Sequence, residues 1–322
     1  MMPIVPMFHA NAWGAPYSAP IAGAKLVLPG PHMNGESLYK LMKEEKVTSS
    51  IAVPTIWMML FQYLDSNPEA SLEDLSLNDV GVGGSAPPIA MIERFRKSGI
   101  DMIQAWGMTE TSPLGVVNKP LPKHDHLSPT DMAKLKTKAG RGVWGVEIKT
   151  IDDEGRRLPW DGKTPGHVYV RGPWVASGYY REGESKLDSE GFFPTGDIGA
   201  IDPDGFLQLV DRSKDIIKSG GEWISSIELE NTAVSHPQVA EAAVIGIAHP
   251  IWQERPLLIA VLKDNATIGK DELMVFLEGH VAKWWLPDDI LFVQELPHTA
   301  TGKLLKSKLR EEYGCFRPTI ID

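Results

Sequence analysis

The sequence predicts two folds in series: an α/β portion over 1–213, closing with a small antiparallel β-barrel over 139–213, then a smaller α+β domain over 214–322. Three observations lead there. Strand-length apolar runs alternate with amphipathic helical stretches up to Trp106, which implies a parallel sheet covered by helices. From Gly140 the pattern becomes short alternating runs broken by Gly, Pro and Asp. After the charged run Asp211-Arg212-Ser213-Lys214-Asp215, helices and strands return, so a hinge is placed at Lys214.

The elements follow in order. A strand is expected over 25–29, ended by a Pro-Gly turn. A helix over 35–45 carries Leu38, Leu41 and Met42 on one face. A strand over 50–53 meets Pro54, and a helix over 55–64 ends at Asn67-Pro68. A strand over 80–83 runs into Gly84-Ser85-Ala86-Pro87, followed by a helix over 89–97 and a strand over 102–106. Ligands gather at the C-terminal strand ends of such sheets, where Gly84-Ser85 and Gly107-Met108-Thr109 fall. The stretch 124–138 reads as a polar surface excursion. Strands over 146–151, 166–171 and 206–210 make the barrel. The last domain is read as a helix over 225–235, strands over 239–247 and 255–263, a helix over 270–281, a strand over 290–293 and a basic tail over 301–310.

Composition narrows the function. The 322 residues carry a net charge of -10, which argues against nucleic acid as the main partner because phosphate backbones want a basic face. The single cysteine, Cys315, excludes an intramolecular disulfide and fits a reducing cytoplasm. The apolar opening is broken by Pro3, Pro6, Pro16 and Pro20 and lacks a basic start, so neither a signal peptide nor a membrane span of ~18–20 apolar residues is expected. Several of the ten tryptophans fall beside motifs; core packing explains them as well as pocket walls do.

Five motifs carry chemistry. In Trp106-Gly107-Met108-Thr109-Glu110, a glycine permits close phosphate approach, a hydroxyl and a carboxylate can hold a phosphate and a hard cation, and Trp106 could stack on a purine. An ordinary capped turn fits the same residues. Asp197, after Thr195-Gly196, can accept two ribose hydroxyls or be a plain turn aspartate. Arg212 offers a planar donor fork, or a surface ion pair with Asp211 or Asp215. Lys218-Ser219-Gly220-Gly221-Glu222-Trp223 allows positive φ and close backbone contact with a ligand chain, or is a turn before a helix. Lys303, in Thr301-Gly302-Lys303, is a point charge for a developing phosphate negative charge, or an exposed lysine. His9, among apolar neighbours in Pro6-Met7-Phe8-His9-Ala10-Asn11-Ala12-Trp13, suits an acyl pocket wall or a satisfied core histidine.

The order of these motifs resembles the AMP-forming acyl-CoA synthetases, the superfamily that includes firefly luciferase and the adenylation domains of peptide synthetases. Within it the similarity is greatest to medium-chain fatty acyl-CoA ligases and 3-methylmercaptopropionate–CoA ligases, through Pro6–Trp13, Gln104–Glu110 and Gly220–Trp223. The resemblance implies a two-step reaction using ATP, Mg²⁺, CoA and a small carboxylic acid. An acyl-adenylate forms; the mobile C-terminal domain then turns, and the CoA thiol displaces AMP. Residue by residue, it implies that Gly84, Ser85 and Ala86 line the adenine site with Trp106 against the ring. Gly107 and Met108 belong to the ATP/AMP site, Thr109 touches the α-phosphate, and Glu110 binds Mg²⁺. Asp197 and Arg212 hold the ribose. Lys214 is the hinge and Lys303 the adenylation lysine. Lys218, Gly220, Gly221, Glu222 and Trp223 form the thioesterification face. His9, Trp13 and Gly83 border the acyl pocket.

One departure stands against this. No Gly/Ser/Thr-rich phosphate loop precedes the motifs, so the large domain is read as partial and the chain as N-terminally truncated, with adenylation impaired and solubility poor. The rivals are a stand-alone adenylation domain that loads a carrier protein and an inactive nucleotide-binding fragment. A homodimer is left open.

Overall fold

The computed structural model describes residues 1–263, 265–299 and 303–317. They divide into two compact units: Met1–Thr195 with Gly199–Leu209, and Gly196–Ile198 with Val210 onward, Lys303 grouping with the first.

The first unit is built on a six-stranded sheet in sequence order: Met2–Pro3, Ser49–Ala52, Asp79–Val82, Asp101–Gly107, Leu114–Val117 and Arg141–Gly142. The first three pairings are parallel, and the last two are antiparallel. The expected parallel sheet is therefore mixed, because the chain turns back after Gly107 instead of crossing over a helix. Helices Gly35–Glu44, Pro54–Ser66 and Ile89–Lys97 cover it. Asn34 caps the first, accepting from the Ser37 amide at 3.0 Å. Pro54 opens the second, where its missing N–H costs nothing. Trp57, Leu60, Phe61 and Leu64 repeat at helical spacing and are all buried. Trp57 meets Phe95 edge-on at 5.4 Å. Each such side chain contributes roughly 1.5–3 kcal/mol by leaving water.

Three expectations change here. No strand forms over 25–29: Val27 donates one bond, to the Met1 carbonyl, and Pro29 has no amide to extend a ladder. The stretch 124–138 is not merely a surface excursion, because it holds a helix, Pro129–Lys136, capped by Ser128 and anchored by buried Ala133 and Leu135. The barrel is an open four-stranded sheet in the order Leu207–Arg212, Phe193–Ile201, Gly166–Arg171, Glu147–Ile151. Four strands are too few to close around an interior, which takes about eight.

The second unit holds a five-stranded sheet of Ile217–Ser219, Glu222–Ile224, Val239–His249, Gln253–Leu262 and Asp289–Val293. Alternate residues of the two long strands face opposite ways. Ala242, Val244, Leu258 and Ala260 pack with Leu229, Leu273 and Leu277 of helices Ser226–Val234 and Lys270–Glu278. Ala243, Ile245, Leu257 and Ile259 pack with Leu309 on the other face. Leu309 belongs to helix Lys306–Tyr313, which lies in the stretch read as a basic tail. Both faces are covered, which explains the nearly unbroken apolar runs. Among the described residues no helix is long and apolar enough to cross a membrane.

Candidate functional site

In the first unit, the strand Asp79–Val82 ends at Gly83-Gly84. Gly84 has φ +87°, and a Cβ there would lie 3.0 Å from Lys303 Cε, 3.6 Å from its Nζ and 3.2 Å from Val53 Cγ1. The Lys303 stem therefore runs across the Gly84 backbone. Thr301 and Gly302, the rest of that motif, lie outside the described residues. Next to it, a Cβ on Gly83 would meet the Trp13 indole and the Ala105 carbonyl, both at 3.1 Å. Trp13 reaches that place from a left-handed turn: Ala10, Asn11, Ala12 and Trp13 have φ of 45°, 53°, 49° and 53°. Each costs roughly 1–2 kcal/mol in an L-residue. Burial, helped by the Lys303 charge, holds the His9 imidazole below its usual range. His9, Trp13, Gly83, Gly84 and Lys303 thus belong to one neighbourhood.

The neighbouring strand ends at Trp106-Gly107. Trp106 is 8% exposed and packs on Gly115, Val116 and Val146. Gly107 is required for an internal reason, since a Cβ would sit 1.7 Å from the Pro113 carbonyl oxygen. Thr109–Thr111 forms a 3-10 turn. The Thr111 hydroxyl closes it, accepting from the Met108 amide at 2.9 Å. Glu110 leaves this turn half-buried, and its carboxylate accepts from the Tyr179 hydroxyl at 2.7 Å. That carboxylate pushes the Tyr179 phenol up to about 12.

Ser85, Ala86, Met108 and Thr109 are half-buried or exposed at the same strand ends. Among the described residues no group of three or more His, Cys, Asp or Glu is arranged to hold a metal. A single carboxylate such as Glu110 suits Mg²⁺ only where substrate phosphates and water complete its shell.

In the second unit, Arg212 Nε donates to Asp197 Oδ1 at 2.9 Å. The Ser213 amide donates to the Gly196 carbonyl at 2.9 Å, pinning the two segments together. Lys214 sits in the turn after Arg212, closed by the Asp215 amide on the Arg212 carbonyl. Asp211 and Asp215 have other side-chain partners, and Asp211 Oδ1 also accepts from the Arg212 backbone amide at 2.8 Å. Asp211 accepts from the Ser226 amide at 2.7 Å and hydroxyl at 2.6 Å; Asp215 pairs with Arg310 at 2.6 Å.

Beneath them lies a buried charge cluster. Lys306 Nζ pairs with Glu230 at 2.6 Å and donates to the Ser226 hydroxyl at 2.5 Å. Burial pushes the Glu230 and Asp211 carboxyls up against the pull of Lys306. Burial works against the Lys306 ammonium too, but Glu230 and Asp211 hold it above its usual range. The two directions agree physically, because two carboxylates share one ammonium.

Gly220 and Gly221 have φ of 60° and 87° and form the two-residue turn of a hairpin pairing Ile217–Ser219 with Glu222–Ile224. Positive φ at both positions matches the twist of paired strands, and the helix Ser226–Val234, capped by Ser225, follows the hairpin. Lys218 pairs in register with Trp223. Beside the turn is a cavity of about 400 Å³ walled by Ser219, Gly220, Glu222, Trp252, Trp284 and Asp288. Gly220 donates to the Trp252 carbonyl, and a Cβ on it would lie 2.8 Å from the Trp252 ring. Arg255, also on the wall, is satisfied by Asp288 and by the Trp284 and Leu286 carbonyls. Besides indole faces and backbone, the wall carries the Glu222 carboxylate and the His249 imidazole.

Sequence reasoning missed Tyr179, Glu230 and Lys306. Tyr179 lies in a stretch without periodicity. Lys306 sits where charge suggested a tail; the lone Leu309 three residues on was the only available signal.

The sequence profile of AMP-binding enzymes matches residues 1–180, and that of the AMP-binding enzyme C-terminal domain matches residues 228–303. Over 97% of its length the chain is 50% identical to the 3-methylmercaptopropionyl-CoA ligase of Ruegeria lacuscaerulensis, covering 58% of that protein. It is 49% identical over 98% of its length to the medium-chain-fatty-acid–CoA ligase of Ectopseudomonas oleovorans, covering 57%. ATP-bound MatB from Rhodopseudomonas palustris superposes with a TM-score of 0.82 at 26% identity, over 97% of this chain and 60% of that one. MenE from Bacillus subtilis, in complex with the acyl-adenylate OSB-AMP, gives 0.79 at 30%, over 96% and 60%. The chain thus spans less than two thirds of the proteins it resembles.

Proposed function

The chain belongs to the AMP-binding enzyme family, and from that premise we propose that it carries the nucleotide- and thiol-handling residues of an ATP-dependent acid–CoA ligase. The acid would be a short- or medium-chain or methylthio carboxylic acid, as the names of its relatives suggest. In the first step the acid's carboxylate oxygen attacks the α-phosphorus, the bond to the bridging oxygen breaks, and pyrophosphate leaves. In the second, the CoA sulfur attacks the acyl carbon, the thiol proton departs, and the bond to AMP breaks.

The observation that carries this reading is Lys303 lying across Gly84 beside His9 and Trp13. An ammonium held at a strand C-terminus stabilises charge that grows on a phosphate. Burial, and then the Lys303 charge, disfavour a protonated His9 beside it. His9, Trp13 and Gly83 would wall the acyl chain. Gly84, Ser85, Ala86, Trp106, Gly107 and Met108 would receive adenine and α-phosphate, with the Thr109 hydroxyl on the phosphate. Asp197 and Arg212 would hold the ribose, the guanidinium fixing the carboxylate's orientation. A divalent cation bound at Glu110 would neutralise phosphate charge.

Lys218, the glycine hairpin, Glu222 and Trp223 would serve the thiol step, next to the aromatic cavity. Lys214 would be the hinge between a domain over 1–213 and one over 214–322. The setting would be cytoplasmic, and sedimentation would test for a homodimer.

The purified chain, given synthetic octanoyl-adenylate and CoA, should release octanoyl-CoA and AMP. Failure both to form thioester and to bind AMP sinks the reading. Transfer to a phosphopantetheinylated carrier protein but not to CoA replaces it with carrier loading.

A further inference from the structure

The stretch Gly172–Tyr180 lies against the Thr109–Thr111 turn along four hydrogen bonds. The Ser112 hydroxyl donates to the Trp174 carbonyl at 2.9 Å, and the Trp174 indole donates to the Leu114 carbonyl at 3.1 Å. The Ala176 amide donates to the Glu110 carbonyl at 2.8 Å. The Tyr179 hydroxyl donates to Glu110 Oε1 at 2.7 Å. Backbone and side chain of Glu110 are therefore both held by one strap, and Glu110 is the acidic member of the turn.

A free glutamate side chain samples many rotamers, and ordering it opposes cation binding. A donor on one carboxylate oxygen fixes the plane of the group and leaves the second oxygen for a cation. Tyr179 is itself fixed, its ring meeting Phe193 edge-on at 6.1 Å. Phe193 is fully buried.

We infer that Tyr179 is a positioning residue: through its hydroxyl it orients Glu110 so that the free oxygen meets a divalent cation carried by the nucleotide's phosphates. This role rests on the reading of Glu110 as the cation's carboxylate. Tyr179 acts through Glu110, its hydrogen-bond partner.

The test is the thermodynamic coupling between Mn²⁺ and ATP on the purified chain. It is measured as the ratio of ATP affinity in EDTA to ATP affinity with Mn²⁺, by calorimetry, for wild type, Glu110→Gln and Tyr179→Phe. Tyr179→Phe keeps the ring on Phe193 and removes only the hydroxyl. The expected result is that Glu110→Gln collapses the coupling and Tyr179→Phe lowers it by on the order of tenfold. The metal-free affinity and the melting temperature should not change. Coupling lost in Glu110→Gln but intact in Tyr179→Phe overturns the positioning role and leaves the metal reading standing. A Tyr179→Phe loss that appears equally in EDTA means a merely structural hydroxyl and also overturns it. Glu110→Gln indistinguishable from wild type, whether or not coupling is measurable, removes the metal reading and the positioning role together.

Discussion

Arg212 Nε donates to Asp197 Oδ1 at 2.9 Å, and the carboxylate it holds is 6% exposed while the guanidinium is 44% exposed. An almost buried acid with a half-open base is a directed arrangement.

Asp197→Asn should weaken AMP binding by about 1.5–3 kcal/mol, the worth of hydrogen bonds to a charged acceptor. Arg212→Lys should also weaken it, because an ammonium has no planar fork. Calorimetric titration with AMP checks both; an unchanged affinity in Asp197→Asn removes the ribose assignment.

Gly84→Ala should cost stability and nucleotide binding at once. The new methyl would be 3.0 Å from Lys303 Cε and 3.2 Å from Val53 Cγ1, on a backbone with φ +87°. The strain alone is roughly 1–2 kcal/mol. Urea unfolding measures the first effect and AMP titration the second. A neutral variant would mean that Lys303 yields freely.

Lys306→Met should destabilise the second unit by about 3–5 kcal/mol, because it strands two buried carboxylates without their ammonium. The pH dependence has a definite sign. Glu230 and Asp211 already have raised folded-state pKa values, and losing Lys306 raises them further. Such groups bind more protons folded than unfolded, so stability falls as pH rises above the ordinary carboxylate range of about 4. The deficit of the variant should therefore be smallest near that value and largest at neutrality. In the wild type, the contribution of Lys306, whose folded pKa is raised, is fully present below about 10.5 and is lost as pH climbs through the folded value. Denaturation at acid and neutral pH decides; an equal deficit at both contradicts the cluster.

Gly220→Ala should disturb the hairpin and displace Trp252, whose ring lies 2.8 Å from the new methyl. With φ +60° the backbone penalty is roughly 1–2 kcal/mol. Tryptophan fluorescence should shift, and CoA quenching should weaken; Trp252→Ala should weaken CoA binding without the backbone cost. CoA binding unchanged in both variants would place the thiol's nucleotide elsewhere.

Most elements were legible because burial writes itself as periodicity. Helix 89–97 and strand 166–171 appear at the expected bounds, since Met91, Ile92 and Phe95, and Val168 and Val170, keep helical and alternating spacing. The strand Phe193–Ile201 was hidden because Pro194, Gly196 and Gly199 interrupt its pattern. The helix Lys306–Tyr313 was hidden because its one fully buried apolar residue gives no period.

The candidate site divides in the same way. Residue types at fixed spacing, Thr109-Glu110, Gly220-Gly221 and Asp197 ahead of Arg212, determined which chemistry the chain can offer, because hydroxyls, carboxylates and glycines have few substitutes. Pairing was decided only by the fold. In the sequence Asp211 and Asp215 were the candidate ion-pair partners of Arg212; folding instead put Asp197 against its guanidinium, gave Asp211 a helix N-terminus and gave Asp215 an arginine from the last helix. Hydrogen bonds and ion pairs act over about 3 Å between residues tens of positions apart, and a linear order carries no record of which side chains will meet.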